Sequence, residues 1–390
     1  MNNKEIFLYD LMATQPNDSG KFHGGGKYAK KVFLELCSQN RIWELKALYN
    51  KKKPLEKDIV EACEKFHVQL IDTKGENLVS IINEEKVSRF YSALPEYVVD
   101  ALKGGCDFYG TVHGLRMLET RLSLESLKYA DSLKGKLKYL VKIAFDKHFV
   151  RKDKERLKKY VVSDMKLIAV SNHTQFSLAN YFKEINPSQI KVFYSPSVAD
   201  YNYDSDVHLP SNLKKNGFFL LVSGNRWIKN NLRAIRALDE LFDERPHDIT
   251  QLVVVTGVSN SKIFRKQIKN QGRFLFLEYV DEHLLNSLYK ESFAMLYPSL
   301  NEGFGYPPLE AMRYGKPVIA SPITSISEIC GDAVLYANPY DIKEVKNRVM
   351  QLSLDKNIYE SLTEKGKDRY AFIYRRQKED LQALVDYLLN

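Results

Sequence analysis

The sequence predicts an α/β protein of two Rossmann-like domains, each built on a parallel sheet. Three observations carry this reading. The chain has 390 residues, too many for one ordinary core and a natural length for two domains of about 200 residues each. Runs rich in β-branched and aromatic residues alternate with helical stretches, the pattern of repeated βαβ units. Glycine-bearing segments follow several of these runs directly, and open parallel sheets bind ligands at the carboxyl ends of their strands.

The C-terminal half is the more legible. Phe218–Ser223 (FFLLVS), Gln251–Thr256, Phe274–Leu277, Phe293–Pro298 and Pro317–Ala320 read as strands. Helices are expected over Asn231–Phe242, Ser261–Lys269, Asp281–Ser292 and Pro307–Arg313. Gly224, Gly257 and the Ser299–Gly305 loop each follow a strand, where a ligand would sit. In the N-terminal half, Ile6–Leu11, Lys46–Tyr49, Val68–Ile71, Phe108–Val112 and Leu167–Val170 are the strand candidates. Ser195–Lys215 holds two prolines, several acids and no periodicity, and reads as a linker. The expected division is 1–205, 206–370, and a closing helix at 371–390 that could return to the N-terminal domain.

Composition narrows the class. Apolar residues are 44% and charged residues 27% of the chain, the balance of a globular rather than a disordered protein. The four cysteines are scattered and form no C-x-x-C pair, which suits a reduced, cytoplasmic setting. No basic, then apolar leader opens the chain, and no run approaches the length of a membrane span. The net charge of +9 is concentrated: Lys134–Tyr160 carries eleven Lys/Arg against three Asp/Glu. Two readings of this segment stay open. It is a solvated helical face, or it meets an anionic bilayer or polyanionic acceptor, since Leu137, Leu140, Val141 and Ala144 recur at helical spacing among the lysines. On the second reading the protein is peripheral on the inner face of the cell membrane. Nucleic acid is disfavoured, because aromatic–basic interleaving and known docking motifs are missing.

The strongest chemical signal is Ser299–Pro322, SLNEGFGYPPLEAMRYGKPVIASP. Glu302 and Glu310 bracket a glycine loop and a helix start. Gly303, Phe304 and Gly305 let backbone N–H groups approach a ligand. Pro307 and Pro308 suit a first helical turn, whose free N–H groups attract anions or sugar oxygens. A carboxylate one turn into that helix, Glu310, can take hydrogen bonds from vicinal hydroxyls such as those of a ribose, and Glu302 can reach a sugar ring. The second constellation is Ser223–Leu232, SGNRWIKNNL, with Gly224 and Asn225 at a strand end. Arg226 and Lys229 there can neutralise a diphosphate. Three further segments are weaker: the glycine turn His23–Lys27 (HGGGK), Thr111–Glu119 (TVHGLRMLE) with His113 at a strand end, and Glu278–Leu284 (EYVDEHL). No D-x-D motif flanked by strands and no histidine ligand spacing suggests a metal, so none is expected, nor any cofactor.

The E-x7-E string, worded EGFGYPPLEAM and then GKPVIAS, resembles the retaining GT-B glycosyltransferases of family 4, and its wording is similar to that of mannosyltransferase-like members. The resemblance is strong over about 217–340 and fainter before. It implies a GT-B architecture, with the parallel sheets of the two domains facing a central cleft. It also implies a nucleoside-diphosphate sugar donor, GDP-mannose or a UDP-sugar, held by the C-terminal domain. Glu302, Arg226, Lys229 and His113 would be catalytic. Lys229 and Asn230 compete for the family's lysine position. Gly25, Gly26, Gly224, Asn225, Val280, Gly303, Phe304, Gly305 and Glu310 would touch the donor, and His23 and Arg116 the acceptor. The acceptor would be a saccharide or lipid-linked oligosaccharide in surface polysaccharide or glycolipid synthesis. Ser171 and His173 are either contacts or caps. On this reading Glu302→Ala costs turnover far more than folding. The rivals are a sugar-nucleotide epimerase or phosphorylase of the same fold, a non-catalytic nucleotide-sugar-binding partner, and an anionic-surface module that leaves all but the basic segment unused.

Overall fold

The computed structural model describes residues 5–16, 24–39, 43–73, 75, 77–197 and 209–390. The chain forms two compact units. One comprises Met1–Leu115, Arg151–Val198 and Arg375–Asn390; the other comprises Arg116–Val150 and Ala199–Tyr374. The chain therefore passes between units more than once, and a stretch from the N-terminal half of the sequence belongs to the C-terminal unit.

The first unit is built on seven strands: β1 (Ile6–Asp10), β2 (Glu44–Tyr49), β3 (Gln69–Asp72), β4 (Val87–Ser92), β5 (Asp107–Val112), β6 (Lys166–Ala169) and β7 (Lys191–Val192). Every pairing is parallel, in the order β3-β2-β1-β4-β5-β6-β7. Strand β4 has no counterpart among the sequence candidates, because Arg89 interrupts its apolar pattern. That side chain is buried, lies over the Trp43 ring at 4.4 Å, and donates to the Leu388 carbonyl. The last helix, Lys356–Leu389, contributes Leu384, Val385 and Leu388 to the core of this unit, and Trp43 Nε1 donates to the Leu389 carbonyl at 2.7 Å.

The second unit holds six parallel strands, β8 (Phe218–Leu221), β9 (Leu252–Val255), β10 (Phe274–Phe276), β11 (Ala294–Tyr297), β12 (Val318–Ala320) and β13 (Leu335–Tyr336), in the order β10-β9-β8-β11-β12-β13. The expected helix over Ser261–Lys269 shrinks to Lys262–Arg265. The chain leaves the helix early because the Lys269 and Asn270 amides turn to the Asp239 carboxylate, each at 2.9 Å. Strand order reverses between β8 and β11. This is the topological switch point, where the loops after two neighbouring strands diverge and leave a crevice. Those two loops are Ser223–Asn230 and Pro298–Gly305, which hold most of the residues marked by the sequence.

Two local expectations change. The HGGGK segment is not a glycine turn: Gly24–Ser38 is helical, with Gly24–Gly26 as its first turn. Tyr28, Ala29, Val32, Phe33 and Leu36 form its buried stripe, a helical period that outweighs the glycines. The basic segment breaks into two helices, Leu133–Ala144 and Asp146–Val161. Ser171 is a cap, accepting from the Thr174 amide at 3.2 Å. Among the described residues no helix is long and apolar enough to cross a membrane.

At the switch point of the first unit, β1 ends on Asp10, which is buried and accepts from Ser92 Oγ at 2.7 Å and the Met12 amide at 3.0 Å. Burial raises its carboxyl to about 6 in spite of these bonds. The folded state thus keeps this proton above the pH at which the unfolded chain releases it, so stability falls as pH rises from about 4 to about 6. Urea unfolding of wild type and Asp10→Asn across that range should show the wild type losing about 3 kcal/mol relative to the variant. Parallel curves would mean that the group does not titrate as described.

Candidate active site

In the second unit, the site begins with the turn after β8. Residues Trp227–Lys229 form one turn of 3-10 helix, and Asn230 follows in the left-handed region at φ 58°. Its amide nitrogen donates to the carbonyls of Pro298 at 3.0 Å and Pro339 at 2.7 Å. Asn230 is thus a structural pin, and Lys229 is the residue whose cation enters the site.

Lys229 is 5% exposed, and its Nζ donates at 2.6 Å to both Glu302 Oε1 and Tyr297 Oη. Ser299 Oγ donates to the same carboxylate oxygen. Burial pushes the Lys229 ammonium below its ordinary range, and the charges of Arg226 and Arg116 push it further, while Glu302 opposes them. Burial would raise the Glu302 carboxyl, but the Lys229 charge and hydrogen bond, with those of Ser299 and Tyr297, hold it below the usual carboxylate range. Arg226 and Arg116 are both exposed. The result is a dry ion pair with two solvent-facing guanidinium groups beside it, an arrangement that attracts anions.

The loop carrying Glu302 is held from three sides. The Leu300 amide donates to the Ile228 carbonyl at 2.8 Å, and the Glu302 amide to Thr324 Oγ1 at 3.0 Å. Ser325 Oγ lies 2.9 and 2.8 Å from the Glu302 and Phe304 carbonyls. Gly305 caps the helix Tyr306–Arg313 at φ 116°, a conformation that strains any residue with a Cβ. The third support comes from a distant part of the sequence. Asn301 Nδ2 donates to Glu119 Oε2 at 2.6 Å, and Thr120 Oγ1 to the Leu300 carbonyl at 3.4 Å. The short helix Arg116–Glu119 is thereby docked on the glutamate loop. Arg116 accordingly stands with the cations of this unit.

The remaining candidates divide. Glu310 is one turn into the Tyr306–Arg313 helix, 15% exposed at its side chain and 4.0 Å from Arg313. Gly224 and Asn225 spend their donors within the protein. Their amides bond the Thr256 and Gly257 carbonyls at 2.7 and 3.0 Å, and Asn225 Nδ2 donates to Ser259 Oγ at 2.7 Å. A Cβ on Gly224 would meet Val258 at 2.4 Å, so this glycine is required by the neighbouring loop. Val280 is half-buried beyond β10, between the exposed Tyr279 and the Asp281 cap of the helix Glu282–Glu291.

Gly25, Gly26 and His113 belong to the first unit. Tyr28, one turn after the glycines, meets the His113 ring edge-on at 4.7 Å between centroids. His113 Nε2 lies 2.9 Å from the Ala93 carbonyl, which can only accept, so Nε2 carries the proton. His23 lies outside the described residues. Tyr297, Thr324, Ser325 and the Glu119–Asn301 pair escape the sequence reading, which takes Tyr297 as core in FAMLYP and gives no signal for the others. Among the described residues no group of three or more His, Cys, Asp or Glu side chains is arranged to hold a metal ion.

The ion pair has a direct test. Lys229→Met and Glu302→Leu should each destabilise the protein by about 3–5 kcal/mol in urea unfolding, since each strands a buried charge, while the double variant recovers most of the loss. Glu302→Ala strands the same buried lysine and should likewise cost stability. Additive losses would show that the two groups are not coupled.

Residues 207–369 match the family described as Glycosyl transferases group 1. Over 143 residues the chain is 30% identical to the O-antigen chain mannosyltransferase RfbU of Salmonella typhimurium, covering 36% of this chain and 39% of that protein. Over 96 residues it is 40% identical to the O-antigen chain mannosyltransferase B of Escherichia coli, 25% of each. These matches span two fifths or less of the relatives' lengths. Among solved structures, Anabaena Alr3699/HepE in complex with UDP and glucose aligns at a TM-score of 0.66 and 15% identity, over 98% of this chain and 99% of that one. WaaG, a glycosyltransferase involved in lipopolysaccharide biosynthesis, aligns at 0.63 and 14%, over 97% and 99%. Residues 207–369 are thus similar to the Glycosyl transferases group 1 family, and the two parallel-sheet Rossmann-like domains are the fold of these solved GT-B structures.

Proposed function

We propose that the protein is a retaining, metal-independent hexosyltransferase that moves a mannosyl unit from a nucleoside-diphosphate sugar to a saccharide acceptor in surface polysaccharide or glycolipid synthesis. The observation that carries the reading is the buried Lys229–Glu302 pair flanked by the exposed Arg226 and Arg116, at the carboxyl ends of β8 and β11. The matched segments of O-antigen mannosyltransferases favour mannose, and hence GDP-mannose ahead of a UDP-sugar.

In this account Arg226 and Arg116 bind the donor diphosphate, and Lys229 adds a fixed positive field from below. As the glycosidic bond to phosphate breaks, negative charge grows on the leaving diphosphate and positive charge on the anomeric carbon. Cations already in place stabilise the first without reorganising. Glu302, kept ionised by Lys229, holds the sugar and stabilises the second. Glu310 takes the ribose hydroxyls. Departing phosphate takes the acceptor proton, with transfer on the same face of the sugar. Arg116, placed with the acceptor from sequence, is here a diphosphate ligand.

The test is turnover of GDP-mannose and UDP-sugars with mannosylated acceptors, following the product anomer by NMR. Wild type should give an α-linked product from an α-linked donor. Glu302→Gln, which keeps the side-chain volume, should lower kcat by at least about a hundredfold, and Arg226→Ala should lower kcat/KM by a similar factor. An inverted product would end the retaining reading, and full activity in Glu302→Gln would remove that residue from the chemistry.

A further inference from the structure

The helix Leu133–Ala144 is amphipathic in the reverse sense. It has no buried residue. Gly135, Tyr139, Lys142 and Ile143 are its half-buried positions, and they share one side of the helix. The opposite side carries Leu133, Leu137, Leu140, Val141 and Ala144, an arc of about 100° at 3.6 residues per turn. Its leucines and valine are 43–85% exposed, and Phe145, just past the helix, is 62% exposed. Lys134 and Lys136 border the stripe, one on each edge. An ordinary surface helix turns its apolar stripe inward; this one presents it to solvent.

The mounting beneath is firm. Ser132 caps the helix through the Gly135 amide at 3.0 Å. The preceding turn is anchored by Tyr129, which is buried in the core of the second unit and accepts from the Leu232 amide at 2.9 Å. Glu125 adds an ion pair to Arg236 at 2.7 Å. An exposed apolar stripe on a well-anchored helix is a surface awaiting an occupant.

We propose that this helix lies in the headgroup layer of a membrane containing anionic lipid, with Leu133, Leu137, Leu140 and Val141 inserted and the lysines on anionic headgroups. Charge selects the occupant. The helix carries Lys134, Lys136, Lys138 and Lys142 and no acid, and long lysine stems at the edges of an apolar stripe place their ammonium groups at headgroup depth. A soluble polyanion would use the lysines but leave the leucines in water. The inference does not rest on the donor-site reading, since it uses none of those residues.

The experiment is flotation of the full chain with vesicles of phosphatidylcholine alone or mixed with phosphatidylglycerol, alongside sedimentation velocity and thermal melting. Wild type should float with the mixed vesicles, be released by salt, and stay behind with phosphatidylcholine alone. Leu137→Ser/Leu140→Ser should lose about tenfold or more in vesicle affinity with an unchanged Tm, and Lys134→Gln or Lys136→Gln about fivefold each. Wild type that ignores anionic vesicles, or a leucine variant that floats as well, overturns the proposal. So does a lower Tm in the leucine variant, which would mean that the stripe is packed in the protein. A wild-type dimer that the leucine variant dissolves would assign the stripe to a second copy instead.

Discussion

A lysine and a glutamate taken out of water together organise the second unit. Lys229 and Glu302 come from different strand ends, and each is buried deeply enough that neither charge is tolerable alone. Their pairing fixes the spacing between the loops after β8 and β11, the two strands between which the sheet order reverses. The polar groups around them follow from that demand: Tyr297 and Ser299 satisfy the remaining lone pairs and protons, while Thr324 and Ser325 hold the loop that delivers the carboxylate. A buried pair of this kind is weak as a source of stability but strong as a means of fixing geometry.

The second constraint is topological. Residues 116–150 leave the first unit after β5 and join the second, where Glu119 meets Asn301 and Tyr129 enters the core. This excursion puts Arg116 beside Arg226 and Lys229, and it seats the Leu133–Ala144 helix on the same unit. One segment thus supplies a cation to the site and an apolar stripe to solvent.

The legible parts of the fold were those decided locally. Buried parallel strands such as FFLLVS and QLVVVT read directly as apolar runs, and the E-x7-E string marks the glutamate loop, because helix start, glycine and carboxylates lie within one stretch. Strand β4 was hidden by Arg89, whose burial depends on Trp43 and a carbonyl at the far end of the chain. The glycine run of HGGGK pointed to a turn, yet the five buried side chains that follow pull it into a helix. At the site, the identities of Glu302, Arg226 and Lys229 were visible, but the bond between Lys229 and Glu302 spans 73 positions and no spacing rule announces it. Neither does any rule place Arg116 beside Lys229, since that depends on Glu119 finding Asn301 182 positions away.

The central claim is that these cations form a diphosphate site that works without metal. A thermal-shift screen of the purified chain against UDP, GDP, dTDP, CMP and ATP in chelator-treated buffer tests it most directly. The account predicts that one nucleoside diphosphate at a hundred times its Kd adds about 2.7 kcal/mol of stability, and that Arg226→Ala abolishes the shift. Stabilisation by GDP would match a mannose donor, and stabilisation by UDP would replace it with a UDP-hexose. If no nucleoside diphosphate stabilises the protein, or if Arg226→Ala responds as wild type does, the Lys229–Glu302 cluster is not a diphosphate site and the account fails.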